Sequence, residues 1–142
     1  MIQFEELHQQ NHEITELSNV LTQLMCERAL CDNPVTSELF FRYVESVKKH
    51  FDFENKHLIT VLLQHHDKDA VNTANDFLSG SAEIKRVFDK YVRKWCRNKK
   101  LRIGSHEQFM SDTEDMFRLV LERIEMETER LYPMVRKIRE AA

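Results

Sequence analysis

The chain of 142 residues is long enough to bury a core, and residues 1–142 are expected to form a single domain. Two glycines and two prolines are too few for the turns of an all-β fold, while 42% hydrophobic and 32% charged residues suit long amphipathic helices. The net charge of −3 argues against nucleic acid as the main partner. Three cysteines without metal-like spacing, no signal-peptide pattern and no long apolar run predict a cytoplasmic protein without a membrane partner.

The first two predicted helices are separated by a break at Asn33-Pro34. Helix one is predicted from Gln3 to Ala29, because apolar residues recur there at three- and four-residue spacing (Leu7, Ile14, Leu17, Leu21, Leu24). After the break, Thr36 or Ser37 is expected to provide the N-cap oxygen of the next helix. Helix two is predicted from Ser37 to His65, with a stripe of similar spacing (Phe40, Tyr43, Val44, Val47, Phe51, Leu58, Val61, Leu62).

The second half of the chain repeats this organisation. Helix three is predicted from Ala70 to Arg97, with an interruption or kink at Gly80. The basic segment RNKKLRIGSHE, residues 97–107, is expected to be a solvated loop across one end of the protein. Helix four is predicted from Ser105 to Ala141. Four long amphipathic helices with short links predict an all-α, antiparallel up-down four-helix bundle.

The two helical hairpins have matching patterns of polar and apolar residues about seventy residues apart, as expected for a duplicated hairpin. In this alignment Asn11 of helix one corresponds to Ser81 of helix three. Helices two and four carry a second set of equivalent positions: His50 corresponds to Arg123, and Glu54 corresponds to Glu127.

Four charged or ionisable residues lie within or beside apolar stripes. Glu54 falls in the middle of its stripe and His50 at the edge, and Arg123 and Glu127 fall inside theirs. Because a lone buried carboxylate is costly, each glutamate needs a cation or a hydrogen-bond donor nearby. Two interpretations remain open, a metal site and a buried ion pair.

Two segments carry a family resemblance, HFDFENKHL (residues 50–58) and RIEMETERLYP (residues 123–133). With them the chain resembles, over nearly its whole length, the hemerythrin-like (HHE cation-binding) superfamily of four-helix bundles. The resemblance implies one or two iron ions between the helices, with His50 as a terminal ligand and Glu54 and Glu127 as bridging carboxylates. Imidazole and carboxylate ligands suit iron.

The chain also departs from the family pattern at positions where a histidine is usual. Helix one has Asn11 there, with His12 one residue late, and helix three has Ser81. Helix four has Arg123, whose guanidinium cannot ligate a metal. The resemblance therefore implies a partial ligand set.

Two interpretations of this partial site remain open. One is iron or another divalent cation held by His50, Glu54 and Glu127, with His12 or His8 as a shifted ligand. The other is a metal-free core, in which Arg123 supplies the positive charge and pairs with Glu127 and Glu54.

The second interpretation has its own, looser resemblance, to the regulator of sigma-D group of bacterial anti-sigma proteins. No phosphate loop, Ser-His-Asp order or activated cysteine setting is visible, so the protein is expected not to be an enzyme. The first functional hypothesis is a hemerythrin-like sensor or regulator with a partial, labile cation site. The second is a metal-free regulator that binds a protein of the transcription machinery, by resemblance a sigma factor. A protein partner is expected in general, and a homodimer is left open.

Overall fold

A computed structural model describes residues 4–140 and shows four long helical arms. The first arm is α1 (Phe4–Met25), followed by the short α2 (Arg28–Cys31). The second arm is α3 (Pro34–Glu54), a π-helical turn (Asn55–Ile59) and α4 (Thr60–Leu63), and the third is α5 (Lys68–Trp95). The fourth arm is α6 (His106–Met126), a second π-helical turn (Glu127–Leu131) and α7 (Tyr132–Glu140). The predicted all-α bundle is confirmed.

The boundary between the first two arms differs from the prediction. Helix α1 ends at Met25, and the residues up to Ala29 do not continue it. Helix α3 begins at Pro34, because proline lacks an N–H and has a backbone angle that suits the first helical turn. The N-cap is therefore Asn33, whose side chain accepts a hydrogen bond from the Val35 amide at 2.9 Å. The prediction of Thr36 or Ser37 as the cap was wrong, as was the extension of the second arm to His65.

The second half also contains two corrections. Helix α5 runs without a break through Gly80, so the predicted interruption was wrong. The basic segment is not entirely loop, because β1 (Cys96–Arg97) pairs antiparallel with β2 (Lys100–Leu101). Asn98 and Lys99 connect the strands with φ angles of 52° and 60°, as a tight two-residue hairpin requires. The predicted ends at Gln3 and Ala141 lie outside the described residues.

The buried apolar residues form two clusters. The larger cluster lies toward the end of the bundle that carries the β1–β2 hairpin and includes Tyr43, Phe88, Trp95, Phe109 and Val120. The smaller one lies toward the other end and includes Leu7, Leu58, Phe77, Leu131 and Val135. Along all four arms, buried polar residues occupy the level between the two clusters: Asn11, His50, Glu54, Ser81, Arg123 and Glu127. We call these six residues the polar layer.

Among the described residues, no helix is both long enough and apolar enough to cross a lipid bilayer.

Candidate cation site in the polar layer

Both buried glutamates lie where their helix changes from α to π geometry. Glu54 is the last residue of α3 before the first π-helical turn, and Glu127 is the first residue of the second turn. The two turns occupy equivalent positions in the duplicated hairpins. Since π-helical turns inside α-helices are rare and frequently occur at functional sites, their position marks the polar layer as the candidate site.

His50 lies between the two carboxylates. It is one turn before Glu54 on α3, and its Nε2 is 2.9 Å from Glu54 Oε2 and 2.9 Å from Glu127 Oε1. The other ring nitrogen, Nδ1, is 2.9 Å from Oε1 of Gln10 on α1. His50 is 1% exposed and both glutamates are 0% exposed, so the three groups meet without bulk water.

Arg123 contacts the other oxygen of each carboxylate. Its Nε donates to Glu127 Oε2 at 2.8 Å, and its Nη2 donates to Glu54 Oε1 at 3.1 Å. Two further hydrogen bonds attach it to α5, from Nη1 to the Phe77 carbonyl at 3.0 Å and from Nη2 to Ser81 Oγ at 2.9 Å. Each carboxylate therefore has one oxygen facing the imidazole and one facing the guanidinium.

Gly80 makes room for this guanidinium. A Cβ added at position 80 would lie 2.9 Å from Arg123 Nη1, closer than real Cβ contacts allow. A glycine inside a helix costs about 1 kcal/mol relative to alanine, so the absence of a side chain here needs a local reason. The close approach of Arg123 to α5 provides it.

The hydrogen-bond network extends to residues that the sequence analysis did not single out. Asn11 Nδ2 donates to the Tyr132 hydroxyl at 3.1 Å, and this hydroxyl donates to Glu127 Oε1 at 3.3 Å. Tyr132 is the second-last residue of the segment RIEMETERLYP (residues 123–133) and lies five residues after Glu127. Its position in this segment is the signal that could have identified it. Gln10 is next to Asn11, but no pattern in the sequence distinguishes it from a surface glutamine.

The structure does not bring His12 to the polar layer. Its side chain is 76% exposed on α1, and its Nε2 is 4.0 Å from Glu16 Oε1, one turn further along the same helix. The offset of one residue from Asn11 rotates His12 away from the interior. His50, Glu54, Glu127 and Arg123 are the predicted site residues that the fold brings together.

The two glutamates have different pKa values because they have different partners. Burial raises the pKa of Glu54 to about 7, since the nearby negative charge of Glu127 adds to the effect and His50 only partly offsets it. Burial also acts to raise the pKa of Glu127, but the hydrogen bond and positive charge of His50, with the charge of Arg123, hold this pKa below its usual value. Glu127 accepts hydrogen bonds from His50, Arg123 and Tyr132, whereas Glu54 accepts one, from Arg123.

The His50 pKa reflects the same balance. Burial acts to lower it, but the hydrogen bond to Glu127, the 2.9 Å contact of Nε2 with Glu54 Oε2 and the negative charges of both carboxylates outweigh the effect and raise it to about 9. When His50 is protonated and both glutamates are ionised, the two positive and two negative groups of the cluster cancel. Because the pKa of Glu54 is raised to about 7, this glutamate is partly protonated at neutral pH.

The donor atoms fit one cation. One ligand atom each from His50, Glu54 and Glu127 lies within 4.8 Å of the others. The hydrogen bond of Nε2 is to Glu127 Oε1, and no residue of the described chain donates a hydrogen bond to the buried Glu54 Oε2 despite its short distance to the ring. These three residues are the ones that would hold a cation here. A second cation lacks imidazole ligands, because Asn11, Ser81 and Arg123 stand at the equivalent positions.

A family model described as the hemerythrin HHE cation binding domain matches residues 3–135. This range contains the whole polar layer and both π-helical turns. No curated protein and no solved structure matches the chain.

Proposed function

Because the chain belongs to the family of hemerythrin HHE cation-binding domains, we propose that it binds one divalent cation in the polar layer and acts as a sensor or regulator without catalysing a reaction. One observation carries the proposal. His50 Nε2, Glu54 Oε2 and Glu127 Oε1 converge in the buried polar layer, and among residues 4–140 no group donates a hydrogen bond to Glu54 Oε2. A buried oxygen without a donor is costly, and a cation would remove that cost.

Three residues of this chain would hold the cation. When His50 is neutral and Nδ1–H donates to Gln10 Oε1, the lone pair of Nε2 faces Glu54 and Glu127. Such a hydrogen bond from the second ring nitrogen commonly orients histidine ligands of metals. One imidazole and two carboxylates suit iron(II) or another divalent cation of similar preference, which would supply a Lewis-acidic centre when bound.

Arg123 replaces the ligand that a second cation would need. Its positive charge neutralises part of the charge of both carboxylates, and its hydrogen bonds hold their outer oxygens in place. The cluster is thus electrically balanced without a cation when His50 carries a proton. His50 would have to release this proton before its Nε2 could ligate a cation, so we expect reversible binding, which suits a sensor better than a permanently occupied structural site.

Elemental analysis and titration test the proposal. Protein stripped with a chelator and titrated anaerobically with iron(II), then with manganese(II) in a separate experiment, should bind one ion per chain. His50→Ala should abolish this binding. His12→Ala is the matched control and should bind normally, because His12 is exposed and outside the polar layer. Binding of two ions, or loss of binding in the His12 variant, would contradict the single site.

A second candidate function follows from the charge balance of the cluster. Arg123 makes four hydrogen bonds to groups of the polar layer and to the Phe77 carbonyl, so the buried carboxylates are already compensated without a cation. This arrangement supports a metal-free regulator that acts by binding a protein, such as a sigma factor. The same titration separates the candidates. Background metal content, together with unchanged partner capture by His50→Ala, would support the metal-free regulator.

A further inference from the structure

A pocket of about 200 Å³ lies between α5 and α6, beside the polar layer and away from the three candidate cation ligands, none of which lines it. Four apolar side chains line most of it: Phe77, Ile84, Leu119 and Met126. Met126 is 44% exposed, so the pocket is open to solvent on one side. Its size suits a molecule of roughly ten heavy atoms, well below the usual range for drug-sized ligands.

The floor of the pocket contains a buried hydrogen-bond donor. Gly80 and Arg123 both line the pocket, and Nη1 of Arg123 lies 2.9 Å from the point that a Cβ of Gly80 would occupy. Nη1 has two hydrogens, and the described residues provide one acceptor for it, the Phe77 carbonyl. The absence of a side chain at Gly80 therefore leaves one N–H beside the pocket.

The charges around the pocket select against ions. Asp76, Glu83 and Glu122 line it together with a single surface arginine, Arg130, so the rim disfavours an anion. The guanidinium of Arg123 at the floor disfavours a cation in contact with it. Apolar walls, an acidic rim and a positive donor at the bottom are complementary to a neutral molecule with one acceptor.

From this arrangement we propose that the α5–α6 pocket binds a small, neutral, mainly apolar molecule whose carbonyl oxygen accepts a hydrogen bond from Nη1 of Arg123. The ligand would contact the side of Arg123 that faces away from the carboxylates. Its binding does not require a cation in the polar layer, and it can be measured on chelator-treated protein.

Four probes of similar shape test the proposal: acetophenone, ethylbenzene, benzoate and benzylamine. NMR titrations of the full chain would follow the backbone amides of Gly80 and the Nε–Hε group of Arg123. Acetophenone should bind saturably and shift both signals. Ethylbenzene lacks the acceptor, so it should bind about tenfold more weakly, the usual effect of a hydrogen bond to a charged group. Benzoate and benzylamine should bind more weakly than acetophenone.

A pair of truncations locates the binding. Met126→Ala removes part of the apolar wall and should weaken acetophenone binding by about threefold or more. Val20→Ala is the control, because Val20 on α1 is 43% exposed and does not line the pocket, and it should leave binding unchanged. Equal affinities for acetophenone and ethylbenzene, an unshifted Arg123 signal, or equal effects of the two truncations would overturn the proposal.

Discussion

Replacing Arg123 with leucine tests the central feature of this structure, a guanidinium that serves two buried carboxylates. The substitution removes hydrogen bonds to Glu127 at 2.8 Å and to Glu54 at 3.1 Å. It also removes the contact of the guanidinium with the Phe77 ring, at 4.7 Å from the ring centre. His50 would then be the remaining cation for two carboxylates that are 0% exposed.

The magnitude follows from the burial. Breaking a buried ion pair by removing one partner typically costs about 3–5 kcal/mol, because the other charge is left uncompensated. Arg123 is 6% exposed, so solvent screens this charge very little. We therefore expect Arg123→Leu to lower the free energy of unfolding by about 3–5 kcal/mol in chelator-treated protein at neutral pH.

Urea denaturation followed by circular dichroism measures this change. Arg118→Leu is the matched control, because it removes an arginine of the same helix whose pair with Asp115 is exposed on both sides. The control should change stability by less than about 1 kcal/mol. Glu54→Gln in the Arg123→Leu background should recover part of the loss, since it removes one unpaired charge.

The result that would refute the reasoning is a loss for Arg123→Leu no larger than that for Arg118→Leu. The buried carboxylates would then be stabilised by something other than the guanidinium. An absence of recovery in the double variant would show that Glu54 is not the group left uncompensated.

Three further predictions concern the same cluster. Gly80→Ala should destabilise the protein by about 1–2 kcal/mol although alanine favours helix, because its Cβ would meet Arg123. Gly104→Ala is the control and should be nearly neutral in the same denaturation assay, because a Cβ at position 104 would lie in open space. The pKa of His50 is raised from 6.5 to about 9, so its stabilising contribution is complete below pH 6.5 and is lost as pH rises toward 9. The pKa of Glu54 is raised from 4.5 to about 7, so its contribution to stability is likewise lost as pH rises, between about 4.5 and 7. The melting temperature without a cation should therefore fall from pH 6.5 to 9. A flat profile would contradict the assigned contacts. Arg123→His should raise manganese(II) affinity by about tenfold or more in calorimetric titration, because it supplies the imidazole expected from the repeat and removes a fixed positive charge. Unchanged or weaker binding would count against the cluster as a cation site.

The sequence was sufficient to predict the four helical arms and the position of the polar layer along them. Apolar residues at three- and four-residue spacing define one face of each helix, and Glu54 and Glu127 fall on those faces. Both are fully buried in the structure. The repeat between the hairpins also places Arg123 at the position equivalent to His50, and equivalent positions of a duplicated hairpin lie at the same depth.

Local sequence was less informative at helix ends and in the backbone. The pair Asn33-Pro34 predicts a break between two helices, but proline at the first helical position and asparagine at the cap are also a favourable helix start. Gly80 predicts an interruption or kink, because glycine weakens an isolated helix. In the protein it permits a contact from another arm, which no pattern within α5 reveals. The π-helical turns are likewise not revealed by any pattern within their own helices.

The sequence by itself determined that four amphipathic helices form and that two acids, a histidine and an arginine lie at their middle, since helical periodicity is a local property of the chain. Only the tertiary structure decided which atoms meet. The rotation of the arms about their axes gives each carboxylate one oxygen facing His50 and one facing Arg123. That rotation results from the packing of two separate apolar clusters, and packing depends on all four arms at once.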